Sequence, residues 1–290
     1  MISIITPSFN QARYIERTIQ SVLSQNIHDL EYFVIDGGSQ DETVTILKRY
    51  ANHLTFVSEK DNGQADAVNK GLKRATGDII GWLNSDDIYY PDTIQKIKQY
   101  FENNPDIDVV YGDAYHIDHN DKIINRYPTE TWNISRLTKT CFISQPTVFW
   151  RRSVLEKWGY LNDALEYCLD YEYWLRLARQ GARFGYIKEI LAGSRLYPET
   201  KTCSSPLKAQ REAIQMLKNQ MGYVSHEWLI TYAITLIKNN TSLRYPKLRF
   251  MFLTWGLALR QAFYWNGFGK GVKAFFFLPF IMLKMKSATS

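Results

Sequence analysis

Cysteine is scarce in this 290-residue chain: Cys141, Cys168 and Cys203 are far apart in sequence. They form neither a disulfide framework nor a zinc-finger spacing, which fits a reducing compartment. Long apolar runs are missing too. No uninterrupted stretch approaches the ~20 residues a membrane-spanning helix needs, and the opening ISIIT lacks the charged region and apolar core of a secretory signal. The expected location is therefore cytoplasmic. Neither G-x-G-x-x-G nor G-x-x-x-x-G-K-S/T occurs, so the two common phosphate cradles are excluded. Acids are nearly absent from residues 226–290, which hold nine Lys or Arg and one acid, Glu227. The net charge of +6 thus resides in that tail, and a basic-patch partner has to be sought there.

What is present is an alternation of short apolar runs and helical patterns. Ile2–Thr6, Tyr32–Asp36, Leu54–Ser58, Ile79–Leu83 and Asp108–Tyr111 read as strands. Between them, Asn10–Gln25 places Ile15, Ile19, Val22 and Leu23 on one helical face. Ser39 and Glu42 form a capping-box pair ahead of another helix. Gln64–Ala75 and Thr93–Glu102 complete the series, the second capped by Asp92. Strand and helix in regular alternation predict an α/β fold with a mostly parallel central sheet and helices on both faces. With 45% hydrophobic residues the chain can bury one sizeable core and carry an appendage. The expected division is 1–225, with halves 1–115 and 116–225, followed by a basic and aromatic helical region over 226–290.

Chemistry gathers at the strand ends. Strand one ends in TPSFN and strand two in DGGSQDE. Pro7, Ser8, Asp36, Gly37, Gly38 and Ser39 therefore meet at the carboxyl edge of the sheet, where open α/β folds bind nucleotides. Gly37 and Gly38 let backbone approach a base or ribose, and Asp36 can accept a base N–H. The apolar run Ile79–Leu83 stops at Asn84-Ser85-Asp86-Asp87. Two adjacent carboxylates repel unless a cation lies between them. A diphosphate held without a P-loop needs such a cation, and Mg²⁺ or Mn²⁺ takes one or two carboxylates plus substrate phosphates.

The stretches IITPSFNQARYIERTIQSVLSQ, EYFVIDGGSQDET, DNGQADAVNKGLKRATGDIIGWLNSDD and LDYEYWLRLARQG together resemble the family 2 glycosyltransferases of GT-A fold, closest to the bacterial surface-polysaccharide branch. The resemblance covers about residues 1–200. It implies that Thr6, Pro7, Ser8 and Asp36 hold the nucleoside, that Asp66 and Asn69 lie near base or phosphates, and that Asp86 and Asp87 are the metal motif, Asp87 the direct ligand. It departs from the family at two places: Asn84 stands where D-x-D has its first Asp, and Tyr197 stands where many relatives have His. The implied reaction is inverting transfer from a nucleotide sugar, a UDP-sugar, to a glycan hydroxyl, with Mn²⁺ or Mg²⁺ as cofactor. Asp170 is the candidate base, at the start of a segment that turns Trp174, Leu175 and Ala178 inward; Glu172 is the alternative. Gln145, Trp150 and Trp158 form the candidate acceptor floor, and Arg195 and Lys201 are candidate anion contacts. The tail, including AFFFLPFIML, reads either as helices packed on the catalytic domain or as an interfacial segment on an anionic inner leaflet, which would suit a lipid-linked acceptor. No nucleic-acid module is present. A sugar-nucleotide nucleotidyltransferase and a non-catalytic membrane scaffold remain the alternatives.

Overall fold

The computed structural model describes residues 1–240 and 247–286, with side chains described throughout except at 202, 240, 247, 248 and 270–286. Two compact units divide the chain, one of residues 1–133 and 142–198, the other of residues 134–141 and 199–290.

The first unit begins with strictly alternating elements: β1 (Ile2–Ser8), α1 (Ile15–Leu23), β2 (Leu30–Asp36), α2 (Thr43–Arg49), β3 (Thr55–Ser58), α3 (Gln64–Leu72) and β4 (Ile79–Trp82). It continues through β5 (Ile88–Tyr89), α4 (Thr93–Asn103), β6 (Val109–Ile117) and β7 (Ile123–Arg126). After α5 (Ile134–Leu137), which belongs to the other unit, come β8 (Phe149–Arg151), α6 (Ser153–Trp158), α7 (Leu169–Arg179) and β9 (Phe184–Arg195). All the strands join one sheet of order β3-β2-β1-β4-β8-β6-β9-β5, with β7 beside β6.

The parallel half is the one the alternating pattern predicts, β3-β2-β1-β4. Every residue of β1 and of β4 is buried, so their apolar runs are continuous rather than alternating. The other half is mixed: β8 runs antiparallel to β4 and β6, β5 antiparallel to β9, and β6 parallel to β9. Chain order reverses between β1 and β4, which puts the topological switch point beside Ser8. On one face α3 lies so close to the sheet that a Cβ at Gly71 would come within 2.5 Å of Ile5. The capping box does not form: α2 begins at Thr43, and Glu42 makes no side-chain cap. Ser39 instead joins the turn described below, and α4 likewise starts without a side-chain cap from Asp92, whose φ is +63°.

The second unit contains α8 (Lys201–Ser204), α9 (Pro206–Met221), α10 (His226–Asn240) and α11 (Lys247–Lys286), the last broken at Gly267, where φ is +76°. Its core joins Ile214 of α9 with Leu229, Ile230 and Ala233 of α10 and Ala258 and Ala262 of α11. Gln210 also donates a hydrogen bond to Thr235. These contacts tie α9 to the helical unit, so the division falls at 198/199 rather than at the expected 225/226. The run AFFFLPFIML lies outside the residues whose side chains are described. Among the described residues, no helix is long and apolar enough to cross a membrane.

Candidate active site

The carboxyl ends of β2, β1 and β4 are neighbours. Ser8 pairs with Asp36, and Ile5 with Trp82, so the turns after these strands share one edge. The Asp36 carboxylate is fully buried. It accepts hydrogen bonds from the Gly38 and Ser39 backbone N–H groups at 3.1 and 2.9 Å, from Ser58 Oγ at 2.7 Å and from Ser39 Oγ at 2.5 Å. Asp36 therefore builds the DGGS turn, and a base N–H would find most of its acceptor capacity already engaged. Ser39 Oγ in turn accepts the Asn10 N–H at 2.7 Å, tying the β1 and β2 ends together. Gly37 closes the turn by donating its N–H to Ser8 O at 2.8 Å. A Cβ at Gly37 would stand 2.5 Å from Asp61 Oδ2, so a larger residue there would displace the Asp61 carboxylate. Asp61, missed by sequence reasoning, is thus a second carboxylate against this turn. Its only sequence signal was its position ahead of N-G-Q-A-D. Pro7 and Ser8 are buried, and Ser8 Oγ has no partner among the described residues.

The second cluster follows β4. A turn bond from Asp87 N–H to Asn84 O closes the loop, and the Thr18 hydroxyl of α1 reaches the carbonyls of Ser85 and Asp87. Asp87 is buried, and its Oδ1 accepts the Arg195 backbone N–H at 2.8 Å. Asp86 keeps part of its surface open, and its Oδ2 accepts the Tyr197 hydroxyl at 2.9 Å. Burial raises the pKa of both carboxyls. Asp87 rises furthest, because the Asp86 charge adds to desolvation. Arg195 does not neutralise them directly. Its guanidinium pairs with Asp121, donates to the backbone carbonyls of Asp86 and Asp118, and lies 4.8 Å over the Tyr14 ring. That engagement also removes Arg195 as a free anion contact.

Two adjacent carboxylates held at a strand end, with raised pKa values and no cationic side chain paired to either among the described residues, fit a divalent cation. The oxygen donors are hard, and the ion would restore their ionised forms. Among the described residues no group of three or more His, Cys, Asp or Glu forms a closed cage. That accords with a site whose remaining ligands are substrate oxygens.

Asn84, at the position of the missing Asp, is not a third oxygen ligand. Its Oδ1 accepts Gln64 Nε2 at 2.7 Å and Trp82 Nε1 at 2.9 Å, while its Nδ2 donates to Gln145 Oε1 at 3.0 Å. Gln145 is buried and donates to Trp82 O at 2.7 Å. Both ends of that amide are engaged, so Gln145 supports the acidic loop and is not free to meet sugar hydroxyls.

The structure places the other expected site residues as follows. Thr6 is fully buried against the Tyr32 hydroxyl at 3.3 Å, inside the sheet rather than at a nucleoside. Asn69 donates to Leu161 O at 2.9 Å and accepts Leu161 N–H at 3.0 Å, so it tethers α3 to a loop 92 residues on. Asp66 accepts the Asn62 N–H at 3.0 Å and pairs with Lys70; both hold its carboxyl below the usual range. Trp150 is a core residue, packed on Trp174 at 5.7 Å between centroids. Trp158 retains partial exposure, with Lys157 Nζ 4.3 Å over its ring.

At the head of α7, Asp170 is partly accessible, and burial raises its carboxyl to about 6. Glu172 has a structural role. Its Oε1 is 2.9 Å from Arg176 Nε, and that guanidinium also donates to the carbonyls of Trp158 and Tyr160.

The sequence model of Glycosyl transferase family 2 matches residues 3–159. The chain belongs to this family. It is 27% identical over 266 residues to an uncharacterized glycosyltransferase of Rickettsia prowazekii, covering 82% of this chain and 80% of that one. It is 32% identical over 216 residues to a chondroitin synthase of Escherichia coli, covering 73% of this chain but 31% of that much longer one. In fold it is similar to S. aureus TarS 1–349 in complex with UDP-GlcNAc, with a TM-score of 0.61 at 17% identity over 90% of this chain and 81% of that one. It is equally similar to the mannosyltransferase PcManGT of Pyrobaculum calidifontis in complex with GDP-Man and Mn²⁺, with a TM-score of 0.61 at 19% identity over 96% and 86%. The fold is GT-A and the protein is a glycosyltransferase; a nucleotidyltransferase or an inert scaffold no longer describes it.

Proposed function

We propose that this glycosyltransferase is inverting and dependent on Mn²⁺ or Mg²⁺, and that it moves a sugar from a UDP-sugar to a hydroxyl of a growing, lipid-linked surface glycan. The observation that carries the reading is the pair Asp86 and Asp87, two carboxylates raised by burial at the end of β4 with no cationic side chain paired to either among the described residues. They would hold the cation, Asp87 as the direct ligand. When bound, the ion offsets the negative charge that builds on the departing diphosphate. Asp36 and Ser39 shape the turn, and Gly37 and Ser8 present the backbone wall on which the nucleoside lies. Asp61 accepts from the base. Thr18, Asn84 and Gln145 keep the loop of Asp86 and Asp87 in place, and Tyr197 orients Asp86.

Inversion requires one base on the acceptor side. Asp170 has that role: its carboxyl, raised to about 6, is ionised at neutral pH yet basic enough to accept the hydroxyl proton. Glu172 is unsuited because Arg176 neutralises it. Trp158 offers the acceptor sugar a partly exposed aromatic ring. The UDP donor is supported by the likeness to TarS with UDP-GlcNAc, and Mn²⁺ by the likeness to PcManGT. A glycan acceptor is supported by the likeness to chondroitin synthase. Contact with the inner leaflet is supported by the basic excess of residues 226–290.

The test is a panel of UDP- and GDP-sugars with Mn²⁺ or Mg²⁺, read by thermal shift and release of free nucleotide. A UDP-sugar is expected to raise Tm only with the cation present. Shifts indifferent to chelator would end the metal role, and a response to GDP-sugars alone would end the uridine assignment.

A further inference from the structure

Resting on that membrane-contact reading and deepening it, we propose that the helical unit holds a pocket for the phosphate and first chain carbons of an anionic phospholipid. Helices α9, α10 and α11 line an open cavity of about 590 Å³ that contains none of the donor-site residues. Its wall is apolar and aromatic, with Tyr232 and Leu236 from α10 and Leu257 and Trp265 from α11; Arg211 and Arg260 complete it. The volume is that of a small-molecule site. Neither arginine has a carboxylate partner among the described residues, and no described acid lines the cavity. An apolar slot with two unneutralised guanidinium groups suits an amphiphile with a phosphate head, which arginine binds bidentately.

The surroundings choose a bilayer lipid as the occupant. Leu253 and Tyr264, also lining the cavity, are 38% and 73% exposed; Phe252 on the same helical segment is 68% exposed, and Phe268, just past the break at Gly267, 79%. Arg260 and Tyr264, four residues apart, are neighbours on one face of α11. Large apolar side chains left in water beside arginines are the pattern of a surface that enters the headgroup layer. Residues 199–290 contain thirteen Lys or Arg and three acids. That excess favours an anionic leaflet and disfavours a neutral one.

The experiment is flotation of the full chain with vesicles of phosphatidylcholine alone or mixed with phosphatidylglycerol. Wild type is expected to float only with the mixed vesicles. The double variant Arg211→Gln/Arg260→Gln is compared with Lys208→Gln/Lys238→Gln, which removes equal charge outside the cavity. A general surface field gives both pairs the same loss, about thirtyfold. The pocket makes the arginine loss about tenfold larger still. Leu236→Trp, which fills the cavity and keeps every charge, is expected to abolish the thermal shift produced by dihexanoyl phosphatidylglycerol, while the donor-induced shift confirms an intact catalytic unit. Equal losses from the two charge pairs overturn the pocket and leave membrane contact standing. Failure of wild type to float overturns both.

Discussion

The Tyr197 hydroxyl donates to Asp86 Oδ2 at 2.9 Å. It fixes one carboxylate of the pair while the Arg195 backbone fixes the other. A hydrogen bond to a charged acceptor contributes ~1.5–3 kcal/mol, and here that energy holds Asp86 in a single orientation. Tyr197→Phe should therefore weaken Mn²⁺ binding in the presence of UDP by about tenfold. Calorimetric titration measures it, and an unchanged Mn²⁺ affinity would show that Tyr197 merely packs on Tyr14.

Asp87→Asn separates catalysis from stability. In the folded protein burial and the Asp86 charge make ionised Asp87 costly, so a neutral amide should leave apo Tm unchanged or higher. Transfer should fall by ~100-fold or more, because one of the two proposed cation ligands is lost. The thermal shift by UDP plus Mn²⁺ should disappear with it. A variant that loses activity only by unfolding would contradict the assignment.

For Asp170 the sign is fixed by its raised carboxyl at about 6. A base must be ionised, so kcat should fall as pH drops through about 6. Stability runs the other way. The folded pKa lies above the unfolded one, so protonation is favoured by folding. This contribution is fully present below about 3.8 and is lost as pH rises through about 6. Asp170→Asn should accordingly leave Tm equal or slightly raised at neutral pH while lowering kcat by ~10²–10⁴-fold. Glu172→Gln should do the reverse, lowering Tm by loosening Arg176 while sparing the acidic limb of the pH profile.

How much of this was legible in the sequence depends on the range of the interaction. β1 and β4 were readable because both of their faces are buried, which gives short runs dominated by Ile, ISIIT in one and IIGW in the other. Asp86 and Asp87 were readable because two carboxylates next to a buried strand need an explanation within the same few residues. Asn69 and Gln145 were not. Each is an amide whose partners, Leu161 for one and Trp82 with Asn84 for the other, lie 61 to 92 residues away. No local pattern distinguishes an amide engaged by main chain from one facing a sugar. Trp150 misled for a related reason, since an aromatic in a short strand looks the same whether it faces substrate or Trp174.

Asn84→Asp restores the usual D-x-D, and the structure predicts that it harms the protein. The Asn84 amide donates to Gln145 Oε1. A carboxylate there would set oxygen against oxygen at about the same separation. Gln145 cannot relieve this by turning its amide over, because its Nε2 is needed by Trp82 O. A third negative charge would also join Asp86 and Asp87, with Arg195 already paired to Asp121. Losing one half-buried hydrogen bond and leaving its acceptor unsatisfied costs ~1–3 kcal/mol, or a Tm lower by about 3–8 °C for a unit of this size. Added cation should recover part of that loss, yet affinity for Mn²⁺ with UDP should not exceed wild type, because the Asn84 oxygen faces Gln64 and Trp82 and the new carboxylate inherits those donors. Melting curves with and without Mn²⁺, beside a titration of the same variant, measure both quantities. A gain in metal affinity at unchanged Tm would mean that the first position reaches the ion after all, and the network around Gln145 would lose its role as the support of the acidic loop.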